Sequence, residues 1–288
     1  MSEKLYIINK KSGQTPLDCI EELKNTHLQL KHLPLTYAGR LDPLAKGVLI
    51  ILCGDECLKK DEYLALNKEY EVKILFGFST DTYDVMGKLI MTPSKEGFKR
   101  SSPARTTDIV QSGGDLLEQD LWKERGQTIS NPSFDSVTKI LQSFTGRFKQ
   151  AYPPFSSRPV DGKPLFVWAR ENKLDEIVIP EHEVFVDSID IIGEEKISGA
   201  VLYLHIKEMI SRVSGDFRQE DILSIWKNEL QDLGEVEFPV IKLRIVCGSG
   251  VYVRSIAHEL GIALGVPALA LEIVRTKVGE YHLDDIEK

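Results

Sequence analysis

The chain has 288 residues, 42% of them apolar and 28% charged, with a formal net charge of −8. That length holds one large domain or two modest ones around a substantial core, and the composition excludes a disordered or fibrous protein. The acidity excludes binding to nucleic acid through overall charge; phosphate contact would need a local basic cleft, which Lys10, Lys11, Arg40, Lys46, Lys163, Arg170 and Arg254, recurring beside glycine-bearing segments, can supply.

Residues 4–9, KLYIIN, read as a short buried strand that ends in a turn at Lys10–Gly13. A helix follows, with Thr15 as N-cap, Pro16 in the first turn, and Leu17, Ile20 and Leu23 at helical spacing. The apolar run Gly47–Cys53 and the alternating run Tyr70–Phe76 read as strands of one sheet. From about Met91 to Pro132 the composition turns to Ser, Pro, Gly, Lys and Arg, the pattern of an insertion that is mobile at least in its first half. Helical spacing returns at Phe134, Val137, Ile140, Leu141 and Phe144, with Gly146 as its stop. Gln150–Ser157 is a proline-stiffened extended loop; a turn at Asp161-Gly162 and a helix start at Leu165–Arg170 follow. Further strands are expected at Val184–Ile192, Val201–Ile206 and Val240–Cys247 from their β-branched content, and a last helix through Ile256, Leu260 and Leu264. Helices and strands intermix without βαβ repetition, which favours an α+β fold around a mixed, mostly antiparallel central sheet flanked by helices and loops.

No segment approaches the roughly 18 to 20 apolar residues of a membrane span, so a soluble, cytoplasmic protein is expected. Cys19, Cys53, Cys57 and Cys247 lack the spacing of a disulfide scaffold and are expected to be reduced. Cys53 and Cys57 have no second Cys or His pair at zinc-finger spacing, so packing explains them better than a metal site.

Tyr37–Gly54, YAGRLDPLAKGVLIILCG, concentrates the chemistry. Gly39, Asp42-Pro43 and Gly47 put a carboxylate on a tight loop just before a buried strand. Two readings stand: Asp42 caps local amides, or the scaffold aims it into a cleft. In Gly250–Arg254 a strand-like alternation brings Tyr252 and Arg254 to one face as Arg254 begins a helix. Arg254 is then either a surface ion pair or the partner of a carboxylate or phosphate. Tyr70, in Lys68-Glu-Tyr70, is either core or a stacking platform for a base.

Together and in this order, these segments resemble the TruB family of pseudouridine synthases. Asn9-Lys10-Lys11-Ser-Gly13 is similar to the family's Asp-Lys-Pro-x-Gly turn, and Gly39–Gly47 to its Gly-x-Leu-Asp-Pro-Leu-Ala-x-Gly signature. Lys68-Glu-Tyr70 and Gly77–Gly87, GFSTDTYDVMG, resemble Lys-x-Tyr and Gly-x-x-Thr-Asp-Thr-x-Asp-x-x-Gly. Gln150–Ser157, Gly162-Lys163 and Ala169-Arg170 resemble the family's Gln-x-Pro-Pro-x-Tyr-Ser-Ala, Gly-Lys and Ala-Arg stretch; Cys247–Arg254 and Arg275–Gly279 resemble its closing motifs. Several ordered matches are hard to obtain by chance.

The resemblance implies a single pseudouridine-synthase domain over residues 1–288, acting without cofactor or metal as a monomer on the TΨC stem-loop of tRNA and isomerising uridine 55 after extruding it from the stack. It implies Asp42 as the essential carboxylate, Tyr70 as the base-stacking tyrosine and Arg254 as the partner of Asp42. Lys10, Tyr37, Gly39, Arg40, Ile273, Lys163 and Arg170 then fall at substrate-binding positions. The chain departs from the pattern at Tyr37, where the usual residue is a histidine that fills the gap left by the base. Arg40-Leu41-Asp42 is similar to the motif of the RluA and RsuA groups, which modify ribosomal RNA and other tRNA sites. Bacterial relatives commonly continue into a C-terminal PUA domain, which this chain is expected to lack. RNA affinity is then expected from the domain itself and from Lys95, Lys99, Arg100 and Arg105 of the insertion, unless those merely solvate a loop.

Overall fold

The computed structural model describes residues 5–94, 97–100 and 132–286. Strand β1 (Leu5–Lys10) precedes helix α1 (Pro16–Thr26), which starts with a reciprocal capping box between Thr15 and Asp18 and with Pro16 in its first turn. Strands β2 (Leu35–Ala38) and β3 (Lys46–Cys53) flank a loop; after helix α2 (Lys60–Ala65), β4 (Lys68–Phe76) leads through β5 (Ser79–Thr80) to β6 (Leu89–Ser94) and β7 (Gly97–Arg100). Next come helix α3 (Phe134–Ser143), β8 (Gly146–Ala151), the small hairpin of β9 (Pro159–Val160) and β10 (Lys163–Pro164), helix α4 (Leu165–Arg170) and the long β11 (Glu181–Ser198). Helices α5 (Gly199–Ser211) and α6 (Gln219–Leu230) separate β11 from β12 (Glu237–Cys247). Helix α7 (Val253–Leu264), β13 (Ala268–Val278) and β14 (Tyr281–His282) follow.

Among the described residues the main sheet has nine strands in the order β1-β3-β13-β4-β12-β11-β8, with β2 beside β3 and β14 beside β13. Only the β3–β13 pairing is parallel, so the mixed, mostly antiparallel sheet expected of the sequence is the one observed. Alternation along β4 sends Tyr70, Val72, Ile74 and Phe76 to one face, against Ile256, Leu260 and Leu264 of α7 and Val137 and Leu141 of α3. On the other face Leu75, Val240 and Leu269 meet Leu202, Ile206, Ile222 and Trp226 of α5 and α6. Each aliphatic side chain so buried contributes roughly 1.5–3 kcal/mol, so the packing holds β4, β12 and β13 as a stiff centre. The loops at the Lys68 end of β4 hang from that centre.

Three expectations need correction. Val201–Ile206 is not a strand but the body of α5. Its buried residues Leu202, Ile206, Met209 and Ile210 recur at helical spacing, and the Ser198 hydroxyl accepts the Val201 N–H as an N-cap. Lys10 is the last residue of β1, paired with Gly47, rather than part of a turn. The segment before Arg254 is irregular rather than strand-like: Tyr252 is the N-cap residue of α7. The insertion expected from Met91 begins with an ordered hairpin, in which β6 pairs with β7 from Met91↔Arg100 to Ser94↔Gly97. Lys95 and residues 101–131, including Arg105, lie outside the described residues, as do the side chains of Lys99 and Arg100.

Candidate active site

The loop from Gly39 to Ala45 lies between β2 and β3, and two buried cations fasten it to the sheet. Arg275 on β13 is 1% exposed; its Nε donates to the Val48 carbonyl at 2.8 Å and its Nη2 to the Gly39 carbonyl at 3.0 Å, joining the two stems of the loop. Lys10 is 0% exposed, and its Nζ donates to the carbonyls of Ala45 at 2.6 Å, Pro43 at 3.1 Å and Lys11 at 3.2 Å. Burial lowers the Lys10 ammonium to a pKa of about 8, against opposing attraction from nearby acids, so it still carries its proton at neutral pH. Gly47 closes the loop at φ +113, where a β-carbon would overlap the backbone of Arg275.

So held, Asp42 faces a cleft of ≈ 550 Å³. Arg254, in the first turn of α7, meets it with a forked contact: Nε donates to Oδ2 at 2.7 Å and Nη2 to Oδ1 at 3.3 Å. The Arg254 side chain is 4% exposed and that of Asp42 34%, so the pair runs from the interior to the cleft wall. Arg254 Nη1 also donates to the Thr82 carbonyl, and Asp84 Oδ2 lies 3.6 Å from Nε. Burial alone would favour a neutral guanidinium, but Asp42 and Asp84 outweigh it and hold Arg254 charged. Asp84 pays for its burial: its carboxyl is pushed up to about 6 by desolvation, with Arg254, the Thr82 hydroxyl at 2.6 Å and the Met86 N–H at 2.9 Å opposing the rise.

The cleft floor is apolar and aromatic. Tyr70 and Ile273 project from neighbouring strands, 9% and 8% exposed. Burial raises the Tyr70 phenol above its ordinary range although Arg275 beside it pulls the other way, so the hydroxyl keeps its proton at neutral pH. Tyr252 forms part of the wall, and the Gln150 side chain clamps it through both backbone groups: Tyr252 N–H donates to Oε1 at 2.8 Å and Nε2 donates to its carbonyl at 3.2 Å.

The structure brings Gly39, Arg40, Asp42, Tyr70, Arg170, Arg254 and Ile273 to this cleft. Three other expected substrate contacts are elsewhere. Lys10 lies beneath the loop, spent on its carbonyls. Tyr37 packs on the cluster of α1 and β3, with the Lys60 ammonium 5.5 Å from its ring centroid, because its position on β2 faces away from the cleft. Lys163 is drawn off by Glu171 at 2.6 Å and by the Trp168 ring at 3.6 Å.

The family model for the TruB family pseudouridylate synthase N-terminal domain matches residues 28–114 and 107–209. The chain belongs to the TruB family. Among curated relatives, it is 27% identical over 283 residues to the tRNA pseudouridine synthase B of Bifidobacterium longum subsp. infantis, an alignment covering 98% of this chain and 64% of that protein. It is 24% identical to the tRNA pseudouridine synthase B of Parabacteroides distasonis, covering 98% and 88%. In fold it is similar to a chain in the crystal structure of a Cbf5–Nop10–Gar1 complex, with a TM-score of 0.51 at 16% identity, covering 97% of this chain and 50% of that one.

Several residues of this TruB-family cleft escaped the sequence reading. Thr82, Asp84 and Arg275 stood inside family-like motifs without a role, because their roles are contacts with Arg254 and with the loop, far away in sequence. Lys68 also lines the cleft; its Nζ donates to the Leu64 and Leu66 carbonyls, and burial lowers its pKa to about 8. Phe155 stood inside the family-like Gln150–Ser157 stretch without a role, and Arg218, also lining the cleft, had no signal beyond residue type. Among the described residues no cluster of His, Cys, Asp or Glu is arranged to hold a metal ion, and no helix is long and apolar enough to cross a membrane.

Proposed function

We propose that the protein isomerises uridine to pseudouridine in tRNA, at position 55 of the TΨC loop, with Asp42 as the essential carboxylate. The observation that carries this reading is the Asp42–Arg254 fork on the wall of a cleft floored by Tyr70 and Ile273. Membership of the TruB family and the names of the relatives support the reaction and the RNA class.

Pseudouridine formation breaks the N1–C1′ bond, turns the uracil, forms the C5–C1′ bond and finally removes the C5 proton. A carboxylate at the sugar serves either route for the first step, attack at C1′ or removal of a proton from C2′. Arg254 holds Asp42 in a fixed orientation before substrate arrives, so no reorganisation is needed as charge shifts. Tyr70 and Ile273 offer the flat and apolar surfaces on which a uracil released from its stack can rest and turn. Burial favours the protonated Tyr70 phenol, and in this reading Tyr70 contributes its ring face beneath the base. Arg40 at the cleft supplies positive charge for the RNA backbone on an otherwise acidic body, while Arg170 beside it is paired with Asp216.

The test compares wild type with Asp42→Asn on tRNA transcripts, with pseudouridine mapped at single-nucleotide resolution. Wild type should modify uridine 55 and Asp42→Asn should bind the tRNA without modifying it. A wild type that leaves the TΨC loop unmodified would refute the substrate assignment, and an active Asp42→Asn would refute the role of the carboxylate.

A further inference from the structure

Between β11 and β12 the chain leaves the sheet for helices α5 and α6, and their connector reaches the mouth of the cleft, where Asp216, Phe217 and Arg218 line the wall. Arg218 is the best anchored of the three. Its backbone has φ 63, in the left-handed region that a residue with a β-carbon seldom adopts. Its guanidinium donates to both oxygens of Asp81, at 2.6 and 3.2 Å, and lies 4.4 Å from the centroid of the Phe155 ring. With side chains 19% and 21% exposed, Arg218 and Asp81 form a shielded, forked pair rather than a loose surface contact.

Asp81 closes the turn that serves Arg254. Its N–H donates to the Lys88 carbonyl at 3.1 Å, and its Oδ1 accepts the Lys88 N–H at 2.8 Å. The Lys88 ammonium reaches Asp221 on α6 at 2.9 Å, a second tie between turn and helix with the charges reversed. Inside the turn, the Thr82 carbonyl accepts from Arg254 while Asp84 lies beside the same guanidinium. On the opposite rim Arg170 Nη1 donates to Asp216 at 3.3 Å, fastening the connector to α4. Charge-assisted contacts thus join the connector to the turn and the turn to Arg254 and Asp42, with the backbone of the turn between them.

We propose that Arg218 is a positioning residue for the reaction: from the α5–α6 connector it latches the Thr80–Lys88 turn, so that Thr82 and Asp84 keep Arg254, and through it Asp42, in register with the substrate. This rests on the isomerase reading above. Its guanidinium is committed to Asp81 and Phe155, so its loss should fall on turnover rather than on RNA affinity. Misplacement by about 1 Å from a site away from the chemistry can cost on the order of 10²-fold in rate.

The experiment measures pseudouridine formation on tRNA by wild type, Arg218→Ala, Arg218→Lys, Asp81→Asn and the Arg218→Ala/Asp81→Asn double variant. Arg218→Ala should lower kcat by roughly 10- to 100-fold while KM for tRNA stays nearly constant. Arg218→Lys should recover part of the loss, and the double variant should be little worse than Arg218→Ala alone, because both substitutions open the same latch. A kcat for Arg218→Ala equal to that of wild type overturns the inference. So does a loss confined to KM, which would make Arg218 an RNA contact, or strictly additive losses in the double variant. If Arg218→Ala does not fold, Arg218→Lys and Asp81→Asn decide by the same kcat criterion. A wild type inactive on tRNA would instead sink the isomerase reading on which the inference depends.

Discussion

Replacing Arg254 tests whether the buried fork, and not merely a nearby positive charge, prepares Asp42. Arg254→Ala removes two hydrogen bonds to Asp42, one to the Thr82 carbonyl and the counter-charge of Asp84. Hydrogen bonds to charged groups contribute roughly 1.5–3 kcal/mol each. Asp42 is 34% exposed and water can partly replace what it loses, which brings the cost to about 2–4 kcal/mol of transition-state stabilisation. That corresponds to a roughly 30- to 1,000-fold fall in kcat. Arg254→Lys keeps the charge without the planar fork and should fall between wild type and Arg254→Ala. The assay is release of tritium from tRNA labelled at uridine C5, under single turnover with enzyme in excess. In Arg254→Ala the buried Asp84 should take up a proton at neutral pH instead of remaining an unpaired charge, so the stability loss should stay below the ~3–5 kcal/mol typical of a broken buried pair. An Arg254→Ala rate within about threefold of wild type would refute the argument, since less than 1 kcal/mol could then be ascribed to the fork.

Asp84 makes a prediction about pH. Its folded pKa of about 6 lies above the 3.8 of an ordinary aspartate, so its contribution to stability is fully present below about 3.8 and is lost as the pH rises through about 6. The stability of wild type relative to Asp84→Asn should therefore fall by on the order of 3 kcal/mol between pH 4 and pH 7, measured by urea unfolding at each pH; a difference that does not change with pH would contradict the burial of the carboxylate. Lys10→Met should leave the Pro43 and Ala45 carbonyls without their buried donor, costing about 1–3 kcal/mol per unsatisfied group, and should lower kcat while tRNA affinity holds. Hydrogen exchange over residues 43–47 is the check, and unchanged protection there would rule out Lys10 as the support of the loop.

Most local structure was legible because it depends on near neighbours. Thr15, Pro16 and Asp18 announce α1 by capping chemistry, and the alternation of Tyr70, Val72, Ile74 and Phe76 announces β4 by a period of two. Val201–Ile206 misled because a short apolar, β-branched run suits strand and helix alike; the helical spacing shows only when the run is read on to Met209 and Ile210. The candidate site was legible where motifs stand close together, as at Gly39–Gly47, but residue type alone could not say which cations face the cleft.

The sequence by itself determined several of the elements, the mixed character of the sheet and the candidates Asp42, Tyr70 and Arg254, since capping, periodicity and motif order are written within short windows. Tertiary structure alone decided what those residues do to one another. It placed Arg275 and Lys10 under the Asp42 loop, turned Tyr37 and Lys163 away from the cleft, and set Asp84 beside Arg254. The physical reason is one of distance: contacts such as Arg254 to Asp42 and Arg275 to Gly39 join positions 212 and 236 residues apart. Pairing of that range is set by strand register and by the burial that makes an unpaired charge costly, and neither can be read from a local window.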